Sequence, residues 1–293
     1  MSSLPDTLRV GCKLNLNLLL TGVRPNGWHE LDSLFLPLPE PFDELVLRPG
    51  RGEGLCLRCA TPGIHCEDNT LTKAYGAFAA ASGFSPALDV ELVKGIPHGM
   101  GLGGGSADAA GLLLWLNAAA PQPLDETELA ELALGVGADV PFFLRNRACI
   151  ATGLGEVLKP VDVALHGWLV LMCPTASVPT PWAYKAYDAA MREKDARLFL
   201  TGSGAQAIRL ASIGAGMPRH AVMINDFEPM VLARHALVRR CKEHLLEAGA
   251  SAAAMSGSGA AVFGVFKKRM DAERALRTAE PGTMIGAWLH MLG

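Results

Sequence analysis

Pro97-His98-Gly99-Met100-Gly101-Leu102-Gly103-Gly104-Gly105-Ser106-Ala107-Asp108 is the stretch on which the reading of this 293-residue chain turns. Five glycines in the seven positions 99–105 do not serve packing, because each costs conformational entropy on folding. They let backbone N–H groups turn inward onto an anion. Ser106 is expected to cap a helix whose first amides and dipole add positive potential. Ala107, Ala109, Ala110 and Gly111 are small enough for that helix to approach other backbone closely. A strand pattern over 88–94 enters the loop, and a buried helical pattern over 106–119 leaves it. Flanks this tight point to a phosphate cradle and away from a flexible linker.

The kind of cradle is narrowed by its neighbours. No lysine follows the last glycine, so the Walker A pattern fails. Gly99, Gly101 and Gly104 satisfy G-x-G-x-x-G, a weak signal alone. A dinucleotide fold wants an acid ending a second strand roughly 20 residues later. Asp125 stands near that distance but opens a helical pattern over 125–136, after the break Pro121-Gln122-Pro123. A dinucleotide-dependent oxidoreductase is therefore disfavoured.

Upstream, residues 8–20 alternate, with Leu8, Val10, Cys12, Leu14, Leu16, Leu18 and Leu20 on one side. That is a half-buried strand, and it puts Lys13, Asn15 and Asn17 together on one polar face. The turn Pro25-Asn26-Gly27 ends it and delivers Trp28-His29 into a loop. Strand-like runs follow at 32–38, 44–48 and 54–59, then a helix over 69–81. Downstream, Gly135-Val136-Gly137-Ala138-Asp139-Val140-Pro141 stops one helix and sets Asp139 where another turn can begin. A helix N-cap and a functional carboxylate both fit that position.

The last part runs strand (168–173), helix (225 to about 248), strand, glycine turn, strand, helix (270–278), strand. This order suits an α+β sandwich of ferredoxin-like kind. Ser256-Gly257-Ser258-Gly259, between two apolar strands, reads equally as a hairpin turn or a ligand loop. Residues 195–222 carry no pattern that places them.

Composition bounds the function. With 50% hydrophobic and 19% charged residues a sizeable core forms. A formal net charge of −3 without a basic block argues against nucleic acid or an anionic membrane as partner. Seven scattered cysteines, an odd number, read as reduced thiols. Cys56-x-x-Cys59 with His65 and Cys66 offers zinc-ligand types, but a second C-x-x-C pair is lacking. The start shows no basic-then-apolar leader, and no apolar run reaches membrane-spanning length, so a cytoplasmic, soluble protein is expected.

Taken in order, Lys13 on the first strand, 97–110 as the anion loop and 256–259 near the end resemble the GHMP kinase superfamily over most of the chain. Within it, Lys13-Leu14-Asn15-Leu16, Gly27-Trp28-His29, Glu67-Asp68-Asn69, Gly137-Ala138-Asp139-Val140-Pro141 and Val178-Pro179-Thr180-Pro181 are most similar to kinases of a cytidyl-linked sugar alcohol. Two departures stand out: Gly11-Cys12 where the family has Pro-Ala, and Trp28 where it has tyrosine.

The resemblance implies an α+β, two-lobed fold. Residues 1–160 would form an N-terminal ATP-binding lobe like ribosomal protein S5 domain 2, and 161–293 a ferredoxin-like lobe, with the active site in the cleft between them. It implies in-line phosphoryl transfer from ATP, with Mg2+, to an alcohol on a small molecule bearing a cytidine diphosphate group. Asp139 would orient the hydroxyl and take its proton, and Lys13 would offset charge on the moving group. The nucleotide would meet Asn69, Lys94, Pro97, Gly99, Gly101, Leu102, Gly103, Gly104, Gly105, Ser106 and Ala107, with Ser106 also the candidate magnesium contact. The substrate would meet Asn15, Trp28, His29, Thr180, Pro181 and Tyr184, the two aromatics stacking on the pyrimidine. Blander uses exist for several: Asn69 as a helix cap, Lys94 as a solvated strand end, Tyr184 as the apolar face of a helix through Tyr187. A sibling small-molecule kinase would keep Lys13, the loop and Asp139 without needing stacked aromatics. A ligand sensor would have no need of the Lys13–Asp139 pair.

Overall fold

The computed structural model describes residues 6–163, 165–192 and 223–292, so the whole of the unpatterned stretch 195–222 lies outside the described residues. Two compact units interleave along the chain, whereas the sequence suggests one boundary near 160. One unit comprises 1–13, 37–96 and 103–147, the other 14–36, 97–102 and 148–293.

The first unit holds most of β1 (Asp6–Asn15), the later part of β3 (His29–Pro49), β4 (Leu55–Cys59) and β5 (Leu88–Val93). Its helices are α1 (Thr70–Ser82), α2 (Gly104–Ala119), α3 (Glu126–Val136) and α4 (Val140–Arg145). β4 and β5 are parallel, joined through α1, and β5 runs antiparallel to Glu44–Pro49 of β3. Leu45, Leu47, Leu71, Phe78, Val90, Leu112 and Leu116 fill the core. At Gly11 any Cβ would lie 2.2 Å from the Leu38 carbonyl oxygen, and the Cys12 thiol donates to the Glu40 carbonyl at 3.6 Å. The Gly-Cys pair thus fits β1 close against β3.

The second unit begins with β2 (Leu19–Val23) and the early part of β3, followed by β6 (Cys149–Gly153) and β7 (Val157–Pro160). β6 pairs with Leu31–Phe35 of β3. A separate sheet has the order β11-β8-β10-β9, built from β8 (Gly167–Pro174), β9 (Ala252–Met255), β10 (Val262–Phe266) and β11 (Met284–Leu292). With α5 (Thr180–Arg192), α6 (Glu228–Arg234), α7 (Ala236–Glu247) and α8 (Arg269–Arg277), this is the ferredoxin-like arrangement expected from element order.

Four local expectations are corrected. The alternating segment 8–20 is not one strand: β1 ends at Asn15, and the amide of Leu18 turns to the carbonyl of Ile224. Its polar side is buried as well, with Lys13 at 5% and Asn15 and Asn17 each at 2% exposure. The runs at 32–38 and 44–48 are one 21-residue strand, because Pro39 and Pro41 fall between the ladder to β6 and the ladder to β5. The helix expected from 225 to 248 is two helices, with His235 extended between them (φ −107°, ψ 86°) and its ring edge-on to Trp182.

Candidate active site

In the first unit, β1 carries Lys13 and the turn before α4 carries Asp139. Lys13 Nζ lies 3.4 Å from Asp139 Oδ2, the lysine side chain 6% exposed and the aspartate 31%. Asp139 occupies the N-cap position of α4 in helical backbone geometry (φ −86°, ψ −11°) and its carboxylate caps nothing. The N-cap reading of this residue therefore fails on geometry. Its carboxylate is turned to a buried cation and remains partly open to solvent.

The glycine loop takes backbone shapes that other residues reach only with strain. Gly99, Gly101 and Gly103 have φ of 71°, 74° and 73°. A Cβ on Gly101 would sit 2.3 Å from the Ser256 carbonyl oxygen, and one on Gly103 would sit 2.9 Å from the Phe143 ring and 3.1 Å from Lys13 Cγ. Gly103, not Ser106, is the residue before the helix: α2 starts at Gly104 and Ser106 stands inside its first turn. An anion can still be met without a side-chain cap, since the first N–H groups of α2 have no intrahelical acceptor. Leu102 and Ala107 are buried, while Gly104 and Gly105 are partly or fully open.

The other nucleotide-side candidates divide. Asn69 caps α1, its Oδ1 accepting from the Leu71 amide at 3.0 Å. Lys94 is not a solvated strand end, its side chain being only 8% exposed. Its ammonium is ion-paired to Asp43 and donates to Asp108 Oδ2 at 3.0 Å, and both acids are buried. Burial pulls the Lys94 pKa down, but Asp108 and Asp43 outweigh it and the net direction is up. Burial likewise pushes the Asp108 carboxyl up to about 7, against the opposing charge of Lys94. Nothing local in the sequence marks Asp43, whose partner lies 51 residues away. Asp108 carried a usable signal, a lone acid among Ala107, Ala109 and Ala110 on a buried helix.

In the second unit the aromatic candidates gather around His29. Trp28 closes the β2–β3 hairpin, its amide bonded to Asn26 Oδ1 at 3.2 Å, and it is 62% exposed. His29 is not in a loop, as expected, but opens β3 and is 8% exposed. Its Nε2 lies 2.7 Å from Asp188 Oδ1 on α5. Tyr184 tilts against His29 with centroids 4.9 Å apart and meets Phe227 edge-on at 4.8 Å. Tyr187 meets the same two rings, so the apolar-face reading of Tyr184 holds for part of its surface, and the side chain stays half-buried. Thr180 Oγ1 pairs with Ser258 Oγ at 2.7 Å, and Pro181 is exposed.

In the sequence Ser256 reads only as part of a hairpin or ligand loop. Its hydroxyl accepts from the Asn15 amide and donates to the Gly101 carbonyl, both at 3.1 Å. Asn15 Nδ2 in turn donates to Ser33 Oγ at 2.8 Å. Asn225 fixes the same turn by donating to the Met255 and Gly257 carbonyls at 2.7 and 2.8 Å. The segment is thus a hairpin whose loop is bonded to the glycine loop. Pro97 and His98 lead into that loop half-buried and exposed, respectively.

Among the described residues, no three His, Cys, Asp or Glu side chains are grouped to hold a metal, and no helix is long and apolar enough to cross a membrane. A magnesium ion that arrives on phosphate oxygens needs few protein ligands, and the half-buried Ser106 hydroxyl fits that demand.

Comparison with known proteins shows the family of the chain. Residues 69–147 match the model of the GHMP kinases N terminal domain, and 204–281 that of the GHMP kinases C terminal. A 4-diphosphocytidyl-2-C-methyl-D-erythritol kinase from Nitratidesulfovibrio vulgaris (strain DP4) is 49% identical over 98% of both chains. One of the same description from Lawsonia intracellularis (strain PHE/MN1-00) is 43% identical over 92% of this chain and 90% of its own. A crystal structure of 4-(cytidine 5'-diphospho)-2C-methyl-D-erythritol kinase superposes with a TM-score of 0.76 at 32% identity, covering 98% of this chain and 99% of that one. Homoserine kinase from Cytophaga hutchinsonii, at 18% identity and a TM-score of 0.65, shares the fold. The chain is a small-molecule kinase that belongs to the GHMP kinase family, and within it to the family of the 4-diphosphocytidyl-2-C-methyl-D-erythritol kinases.

Proposed function

We propose that this chain transfers the γ-phosphoryl group of ATP to a hydroxyl of 4-diphosphocytidyl-2-C-methyl-D-erythritol, a step of non-mevalonate isoprenoid precursor synthesis. The observation that carries the reading is the 3.4 Å approach of Lys13 Nζ to Asp139 Oδ2 beside the Gly103 turn. Asp139 has no capping duty and is open enough to meet a hydroxyl. The substrate oxygen bonds to the γ-phosphorus, the bond to the β–γ bridging oxygen breaks, and the hydroxyl proton passes to Asp139. Lys13 holds that carboxylate in place and offsets charge on the phosphoryl oxygens.

Main-chain amides at 99–105 hold the triphosphate, as helix starts hold anions elsewhere. Ser106 would help to hold a magnesium ion, which would supply charge neutralisation at the phosphates. Trp28 and Tyr184 present ring faces to the cytosine, with Asn15, His29, Thr180 and Pro181 contacting the remainder of the substrate.

An ATP-consumption assay over cytidyl-sugar-alcohol, homoserine and mevalonate acceptors tests the reading. Turnover with the cytidyl acceptor alone supports it. Turnover driven only by homoserine or mevalonate overturns it.

A further inference from the structure

Two buried carboxylates converge on one ammonium at the root of the glycine loop. Asp43, on β3, is fully buried, Asp108, on α2, is 2% exposed, and the Lys94 side chain is 8% exposed. Asp43 Oδ1 also accepts from the amides of Gly95 and Ile96, at 2.7 and 2.8 Å. These are the last residues before the loop. Asp108 belongs to the helix that leaves the loop, and it is joined to Lys94 through Oδ2 at 3.0 Å. Lys94 Nζ also lies 3.2 Å from where a Cβ on Gly104 would stand, directly under the first turn of α2.

The cluster therefore ties the chain entering the loop to the chain leaving it. A glycine-rich segment has many conformations to lose when it closes on an anion. Pinning its two ends in advance removes part of that loss and preorganises the site. Other charges in the same unit are paired elsewhere: Lys73 with Asp68, Arg145 with Glu126, and Asp139 with Lys13.

We propose that Asp108 is a positioning residue for nucleotide binding, acting through Lys94, which with Asp43 forms a staple across the ends of the glycine loop. The inference rests on the reading of 97–107 as the ATP site, but not on the identity of the acceptor. Asp108 touches no reacting atom in this scheme, and its effect is carried by the Lys94 ammonium.

The test measures ATP binding directly, by calorimetry with magnesium present and no acceptor, for wild type, Asp108→Asn, Lys94→Met and the double variant. Asp108→Asn weakens ATP binding about tenfold, the scale of one lost charge-assisted hydrogen bond. The double variant binds no worse than the weaker single one, because both act through the same contact. Binding of cytidine diphosphate, titrated separately as an acceptor-side probe, stays as in wild type. Wild-type ATP affinity in Asp108→Asn overturns the inference, as do additive losses or an equal loss of cytidine diphosphate binding. If Asp108→Asn does not fold, hydrogen exchange on the wild-type protein decides. The Gly95 and Ile96 amides are slow to exchange without nucleotide if the staple stands, and fast exchange there refutes it. A wild-type chain that binds no ATP sinks both this inference and the function it rests on, whereas normal wild-type binding with an unaffected Asp108→Asn sinks the inference alone.

Discussion

Lys13 Nζ and Asp139 Oδ2 stand 3.4 Å apart although 126 residues separate them in the chain, the lysine nearly buried and the aspartate about one-third exposed. The asymmetry suits the phosphoryl-transfer role proposed for this pair. The cation is held by its surroundings and does not search for its partner, while the carboxylate keeps a solvent-facing side on which a hydroxyl can dock.

Lys13 is crowded as well as buried, since its Cγ and the Phe143 ring both close on the Gly103 turn. Replacing it by methionine is expected to lower turnover roughly 10²- to 10³-fold, the scale of losing one preorganised charge at a transition state. Arginine keeps the charge but is larger and differently shaped, so Lys13→Arg is expected to recover little of the loss. Steady-state kinetics of the two variants check this; full recovery by arginine would show that charge alone is needed.

Trp28 is 62% exposed, so its ring contributes little to the core. Trp28→Ala is expected to change stability by no more than about 0.5 kcal/mol, as for other surface sites. Acceptor KM is expected to rise roughly 5- to 150-fold, the equivalent of about 1–3 kcal/mol for one stacked base. Thermal melts and acceptor titrations on the same preparation separate the two effects. A large drop in Tm with unchanged KM would make Trp28 a structural residue.

The carboxylate of Glu228 accepts from the Met255 amide at 2.6 Å and pairs with Lys242 at 2.5 Å. Burial raises its pKa above the ordinary 4.5, against the opposing charge of Lys242. The folded state then holds more protons than the unfolded chain just above pH 4.5, so this residue's contribution to stability falls as pH rises through that window. In Glu228→Gln the titration is gone. The Tm advantage of wild type over the variant is expected to grow as pH is lowered from neutral towards 4.5, read by melts across a pH series. An advantage that shrinks over that range contradicts the assignment.

Local pattern carried most of the fold. The β5–loop–α2 passage, the α3 helix and the final ferredoxin-like order all follow from periodicity and glycine placement. α3 even shows the Asp125–Glu128 capping box that removes Asp125 from any ribose-binding role. Local pattern misled where a distant partner decided the outcome. The runs at 32–38 and 44–48 read as separate strands, yet they are one long strand in which Pro39 and Pro41 sit between two ladders. Ser106 looked like a cap, but Gly103 reaches a left-handed conformation that starts the helix earlier. Among the candidate site residues, motif order singles out Lys13 and Asp139, which the fold brings to 3.4 Å of each other. Asp43, Asp188 and Ser256 act through bonds to residues 51, 159 and 241 positions away, which no local reading reveals.

Asp139→Asn offers the most direct test, because it preserves shape while removing the proton-accepting carboxylate and its charge opposite Lys13. The measurement is single-turnover phosphoryl transfer from ATP to 4-diphosphocytidyl-2-C-methyl-D-erythritol, with the ATP dissociation constant determined on the same sample. Turnover is expected to fall roughly 10²- to 10⁴-fold while ATP affinity stays within about threefold of wild type. A variant that turns over at the wild-type rate would contradict the claim that this carboxylate receives the proton.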